Sequence, residues 1–185
     1  MRNRTTDIAF IAVFAALISV FSQFIIPLPS GVPFTLQTFM IAVTGYVLGS
    51  LRGSVSVLIY IVLGLIGIPV FTGFQVGLSA LAGFTGGFII GFLPLVFMCG
   101  INTKSIFLKI IFGLIGVILC HVSGVIRFAD FSGDIRSAFF AASVPYILKD
   151  VISIVLAAAI SGKIKRAITV YTIQEKRRKR EKNNK

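Results

Sequence analysis

The sequence predicts an all-α integral membrane protein, a bundle of six transmembrane helices with a glycine-rich outer loop between helices 3 and 4. Three observations carry this. Hydrophobic residues make up 56% of the chain and charged residues 13%, too little polar surface to cover a protein in water. The 185 residues are nearly filled by six spans of roughly 20 residues with short connections, so residues 1–185 form a single domain. Finally, most cations fall on one side of the membrane when six helices alternate.

The first span is expected over residues 8–26, in "MRNRTTDIAFIAVFAALISVF" and its continuation to Ile26. Basic residues precede an apolar run, as in a signal peptide, but no small-residue cleavage site follows, and the run reads as a retained helix. Residues 36–50 and 53–68 give short second and third spans separated by Arg52 in "GSLRGS", a tight hairpin that local bilayer thinning accommodates. The remaining spans are expected at 84–101, 106–126 and 143–162, followed by a basic tail over 163–185.

Charge sets the orientation. Arg2, Arg4, Arg52, Lys104, Lys109 and the tail from Lys163 onward share one side, while the loops 27–35 and 69–83 carry no charge. Both termini are therefore expected in the cytoplasm. The loop "RFADFSGDIRSAFF" on the other side mixes Arg127 and Arg136 with Asp130 and Asp134, which leaves the assignment intact. The run "KRRKREK" reads as a topogenic tail at the inner leaflet of the lipid bilayer; without interleaved aromatics it gives no support to a nucleic-acid partner.

Several chemistries find no residues. Cys99 and Cys120 sit in separate apolar runs as small hydrophobes. His121, the single histidine, has no partners at metal-ligand spacing, so no metal or cofactor is expected. It is expected either in a helix-packing hydrogen bond or lining a pocket with Arg127. The neighbouring "HVSG" is no hydrolase pair, because His121 and Ser123 lie on opposed faces of a helix. The sequence contains no G-x-x-x-x-G-K-[S/T] loop, so any ATP-driven step belongs to separate chains.

The polar residues that remain cluster around one candidate site. "IGIPVFTGFQVGLSALAGFTGGF" has six glycines mixed with Pro69, Phe71, Thr72, Gln75, Thr85 and Phe88. Backbone so irregular belongs at membrane depth only where it is buried or lines a cavity, which predicts a re-entrant binding loop. Lys149 and Asp150 fall in the first turns of the last span, where an ionised side chain costs about 2.5–3.5 kcal/mol and marks a cavity or an ion path. Alternatively, Lys149 snorkels to the interface and Asp150 pairs locally. Being adjacent, the two lie about 100° apart on a helix, whereas Asp150 and Ser153 share a face; Asp150 and Ser153 are the expected pair. If "SGVPFTLQTF" is the loop of a binder, Pro33 holds the chain extended, Thr35 is placed to cap the second helix, and Gln37 and Thr38 offer hydrogen bonds near a pocket.

"LPSGVPFTLQTF", "LGLIGIPVFTGF", "GFTGGFIIGF" and "VPYILKDVISIVLAA", in this order and spacing, resemble the BioY family, the substrate-binding S-components of energy-coupling factor (ECF) biotin transporters. The resemblance covers the chain to about Gly162. It implies a multi-pass protein of a prokaryotic cell membrane that binds biotin with high affinity and works with a transmembrane coupling subunit and ATP-binding cassette ATPases. Biotin presents ring N–H donors, an apolar bicycle and a charged tail, so Asp150 is expected on the ring and Arg127, Lys149 or His121 on the carboxylate. In the first span Ala12 and Ala16 are four apart, with Ala15 and Ser19 repeating the spacing on the next face, the small-residue pattern that lets helices approach closely; Ala12 and Ala16 resemble the family's patch for the coupling subunit. The chain departs from the family pattern where Ser153 replaces an expected lysine, Phe84 a proline, Phe88 a tyrosine and His121 a tyrosine. The same scaffold bound to another small vitamin or metabolite is the second reading. An intramembrane enzyme or channel would need a nucleophile-base pair, a metal cluster or a ring of charges, none of which the sequence offers.

Overall fold

The computed structural model describes residues 4–27 and 32–183, with side chains as far as Gln174. Arg2, Ser30 in the first outer loop and the tail cations beyond Gln174 thus lie outside the described side chains.

Helices α1 (Arg4–Phe21), α2 (Gln37–Leu48), α3 (Ser50–Leu65), α5 (Gly86–Cys99), α6 (Ile106–Ser132) and α8 (Val144–Asn183) form the bundle. Two short helices, α4 (Gly77–Ala82) and α7 (Ile135–Ala142), lie in the connections. Strands β1 (Ile25–Ile26) and β2 (Phe34–Thr35) pair antiparallel, Ile25 with Thr35 and Ile26 with Phe34. α1, α6 and α8 up to Gln174 are long and apolar enough to cross a membrane; α2, α3 and α5 are shorter apolar helices. Large apolar side chains such as Ile8, Ile118, Val122 and Ile126 stand on outer faces, a surface suited to hydrocarbon and costly in water.

Several boundaries differ from the sequence expectation. The first helix ends at Phe21, so Ile25 and Ile26 of the expected 8–26 span lie in β1, and α6 continues to Ser132, past the expected end at residue 126. The break between the second and third helices falls at Gly49, where φ is +86°, a conformation glycine adopts without penalty. Arg52 lies inside the first turn of α3 and pairs with Asp7 on α1 at 3.0 Å. The loop after α3 is not wholly irregular: it contains a 3-10 turn over Thr72–Phe74 and the six-residue α4. The last helix continues without a break from the apolar run into the basic tail, so residue 163 marks a change of charge and not of backbone.

Glycines set the closest helix crossings. An added Cβ at Gly91 would stand 2.8 Å from the Cys120 Cα, and one at Gly87 would meet the Ser123 carbonyl oxygen at 2.2 Å. These two glycines, four apart, let α5 and α6 touch backbone to backbone, as small residues do in lipid. α2 is the central element, with nearly every side chain buried. Its 12 residues rise only about 18 Å. Its polar first turn therefore ends inside the bundle and leaves room above it.

Candidate functional site

That room is a cavity of about 390 Å³, within the range of roughly 300–1,000 Å³ usual for small-molecule sites. The β1–β2 hairpin and the Phe71–Thr85 loop contribute to it at the end of the bundle opposite Arg52 and Lys104, together with the first turns of α2 and α8 and the facing sides of α5 and α6. Phe71, Phe84, Phe88 and Phe92 supply aromatic walls. Two of these rings are seated by glycines: Gly64 makes room for Phe71 and Gly124 for Phe88, since a Cβ at either would lie within 2.4 Å of the ring.

One wall is charged. His121 Nε2 on α6 lies 2.9 Å from Asp150 Oδ2 on α8, and His121 Nδ1 lies 2.9 Å from Ser143 Oγ. A carboxylate only accepts, so Nε2–H donates to Asp150, and in the neutral imidazole Nδ1 then accepts from the Ser143 hydroxyl. Lys149 Nζ stands 2.6 Å from Asp150 Oδ1 and donates to the Thr35 carbonyl at 3.2 Å and to Thr38 Oγ1 at 3.5 Å. The two oxygens of the buried carboxylate are thus held differently, Oδ2 by the imidazole and Oδ1 by the ammonium.

A second cluster is neutral. Gln37 Nε2 donates to Tyr60 Oη at 2.7 Å, while its Oε1 accepts from Thr72 Oγ1 at 3.0 Å and from Thr35 Oγ1 at 3.3 Å. Thr35 stands one residue outside the cap of α2, which is Leu36, and its hydroxyl reaches the Gln37 N–H at 3.4 Å. The expected cap is thus a loose contact from within β2.

The structure brings Asp150, Lys149, His121, Phe71, Gln75, Thr85 and Phe88 to the cavity. Two expected residues do not line it. Arg127 donates to the Ala82 carbonyl at the end of α4, pairs with Asp130 at 3.3 Å and lies over the Phe131 ring; its guanidinium is spent on α4 and its own helix. Ser153 is buried one turn farther along α8, and the partner of Asp150 is His121 across the helix interface. Lys149 also corrects the angular argument: its long stem swings the ammonium back to its neighbour's carboxylate, and at 11% side-chain exposure it does not snorkel. His121 lines the cavity, though beside Asp150 and not with Arg127. Ser123 bonds carbonyls of its own helix. Beyond the end of α6, the Ser137 hydroxyl and then the Ser137 and Arg136 N–H groups hold the Asp134 carboxyl below the usual range, capping α7.

Sequence reasoning missed Ser143, Tyr60 and Tyr146. Tyr146 donates to the Val32 carbonyl and ties the hairpin to α8. Its signal was available, since Tyr146 and Asp150 are four apart and share a helix face. Ser143 lies in an adjoining apolar groove of about 550 Å³ between α6, α7 and α8, so its hydroxyl supports His121 from behind the cavity wall.

Residues 1–170 match the BioY family. The chain is 34% identical over 161 residues to the "Probable biotin transporter BioY" of Pyrococcus horikoshii, covering 87% of this chain and 97% of that one. It is 36% identical over 157 residues to the "Biotin transporter BioY" of Thermotoga maritima, covering 83% and 92%. Among solved structures, the S-component for biotin from an ECF-type ABC transporter superposes with a TM-score of 0.81 at 27% identity, over 90% of this chain and 95% of that one.

Proposed function

The chain belongs to the BioY family, and from that premise we propose that it is the biotin-binding S-component, the substrate-specificity subunit, of an ECF-type vitamin uptake transporter. The family consists of transporter components and is not an enzyme family. The hydroxyl, imidazole and carboxylate aligned through Ser143, His121 and Asp150 accordingly serve as a scaffold that fixes the carboxylate, with the hydroxyl on the far side of the wall.

The observation that carries the reading is the buried carboxylate–ammonium pair of Asp150 and Lys149 on the wall of an otherwise aromatic and neutral cavity. The ureido ring of biotin offers two N–H donors and one carbonyl acceptor. Asp150 accepts from the ring N–H groups, and the Lys149 ammonium donates to the ring carbonyl. This changes the expected role of Lys149. An extended ligand with its ring at one end and its carboxylate at the other does not place both on groups 2.6 Å apart. Lys149 and Asp150 therefore read the same end, and the tail carboxylate lies toward Gln75 and Thr85 in the mouth. Phe71, Phe88 and Phe92 pack the bicycle. Ser153 and Arg127 act outside ligand contact.

The cavity end, whose charges are of mixed sign, faces outward and both termini face the cytoplasm, since the excess of cations gathers at the other end. Ala12 and Ala16 are exposed on α1 while Ala15 is buried; the exposed pair forms the docking face for a transmembrane coupling subunit, with separate ATPases supplying the energy. Equilibrium binding of labelled biotin to the purified, membrane-inserted chain tests the function. Saturable binding displaced by unlabelled biotin is expected, and retention of another vitamin in place of biotin would overturn it.

A further inference from the structure

The end of α1 is fastened to the loop that forms part of the cavity wall, and Gln23 does most of the fastening. Its Nε2 donates to the Phe71 carbonyl at 3.0 Å and to the Val70 carbonyl at 3.2 Å, while its Oε1 accepts from the Phe74 N–H at 3.1 Å. Ser22, fully buried, adds a hydrogen bond from Oγ to the Val70 carbonyl. Backbone groups of Val70, Phe71 and Phe74 thus meet one amide, whose Nε2 also reaches Ser22 Oγ at 2.8 Å and the Ser19 carbonyl at 3.4 Å. The loop is not at rest without it: Phe74 has φ of +58°, an outlier for a bulky residue. Its ring is 67% exposed, so little packing offsets the strain. The residues held this way include the cavity wall, since Phe71, Thr72 and Gly73 line it and Thr72 bonds Gln37.

We infer that Gln23 is a positioning residue that clamps Val70–Phe74 in the closed arrangement and so sets how fast the bound ligand leaves. The inference rests on biotin as the ligand. An amide is suited to the task, since it donates to carbonyls and accepts from an N–H in one plane; neither leucine nor a shorter asparagine reaches all three groups. Opening of such a loop precedes ligand release, whereas entry into the already open form does not require the clamp.

The test compares the parent chain, Gln23→Leu, Gln23→Asn and Gln23→Leu combined with Phe74→Gly, each membrane-inserted. Gln23→Leu is expected to speed biotin dissociation about 5- to 30-fold, the loss of one to two ordinary hydrogen-bond increments from the closed state, with association changed less than about twofold. Gln23→Asn moves in the same direction by less. Phe74→Gly recovers part of the loss, because glycine adopts the positive φ without strain; a general loosening of α1 would not be rescued at a residue on the loop. Amide exchange in the ligand-free protein gives a readout independent of biotin: residues 70–75 exchange faster in Gln23→Leu while residues 8–18 do not. Unchanged exchange at 70–75, or dissociation as slow as in the parent, overturns the clamp. Absence of biotin binding by the parent itself overturns the proposed ligand, and exchange then decides the clamp alone.

Discussion

The carboxylate of Asp150 and the amide of Gln37 face one cavity from two kinds of wall. Asp150 is gripped by His121 across the α6–α8 interface and by the Lys149 ammonium beside it. Gln37 spends Oε1 on Thr72 and Thr35 and Nε2 on Tyr60. Both are costly groups to bury, but the first is held in a charged pair and the second in a neutral network. A buried charge pair on the cavity wall points to ligand contact, and a neutral network to holding the loop and the α2 turn in place. Lys149 connects the two, touching Asp150 on one side and Thr35 and Thr38 on the other.

The comparison can be broken by substitution, with the largest effect expected at the charged wall. Asp150→Ala removes the acceptor and strands both the His121 N–H and the Lys149 ammonium, so labelled biotin should bind at least about 5- to 150-fold more weakly, the penalty of roughly 1–3 kcal/mol for unsatisfied buried groups. Lys149→Ala comes next, at about 5- to 30-fold for the loss of a charge-assisted bond. Biotin and its carboxyl-amidated analogue should lose affinity equally; a loss confined to biotin itself would move Lys149 to the tail carboxylate. Gln37→Leu leaves the Tyr60 and Thr72 hydroxyls without their partner. It should cost about 1–3 kcal/mol in thermal unfolding and weaken biotin only several-fold, through the displaced loop. A larger effect on binding than Asp150→Ala would reverse the roles of the two clusters. The smallest effect on binding is expected at Ala12→Trp and Ala16→Trp, which lie on the outer face of α1. Both should bind biotin like the parent while uptake in cells and co-purification with a coupling subunit are lost.

Much of the fold was legible because hydropathy and glycine act locally. Six apolar runs become six apolar helices, and the uncharged loops converge on one cavity. The ends of those runs were less legible: a positive φ at Gly49 breaks the chain where a charge at Arg52 drew the eye. At the site, Asp150 and His121 each stood out as polar groups in apolar spans, but their pairing joins positions 29 apart in sequence, and no periodicity within one helix encodes a contact between two. Arg127 shows the same limit, because its engagement depends on where α4 ends. Lys149 escaped a face argument built on Cα directions, since a four-carbon stem reaches around a helix where a serine does not. The pairs Ala12 with Ala16 and Ala15 with Ser19 look alike in sequence and are separated only by which face the bundle covers.

The most direct test of the division between the two walls is equilibrium binding of labelled biotin to Asp150→Asn in a folded, membrane-inserted sample. Asparagine keeps the shape of the side chain and turns one acceptor into a donor facing the ring N–H groups. A fall in affinity of about 5- to 150-fold is expected in the folded fraction, together with a lower thermal unfolding transition because the Lys149 ammonium loses its buried counter-charge. Binding as tight as in the parent would contradict the assignment of biotin to this wall and favour a different vitamin in the same cavity.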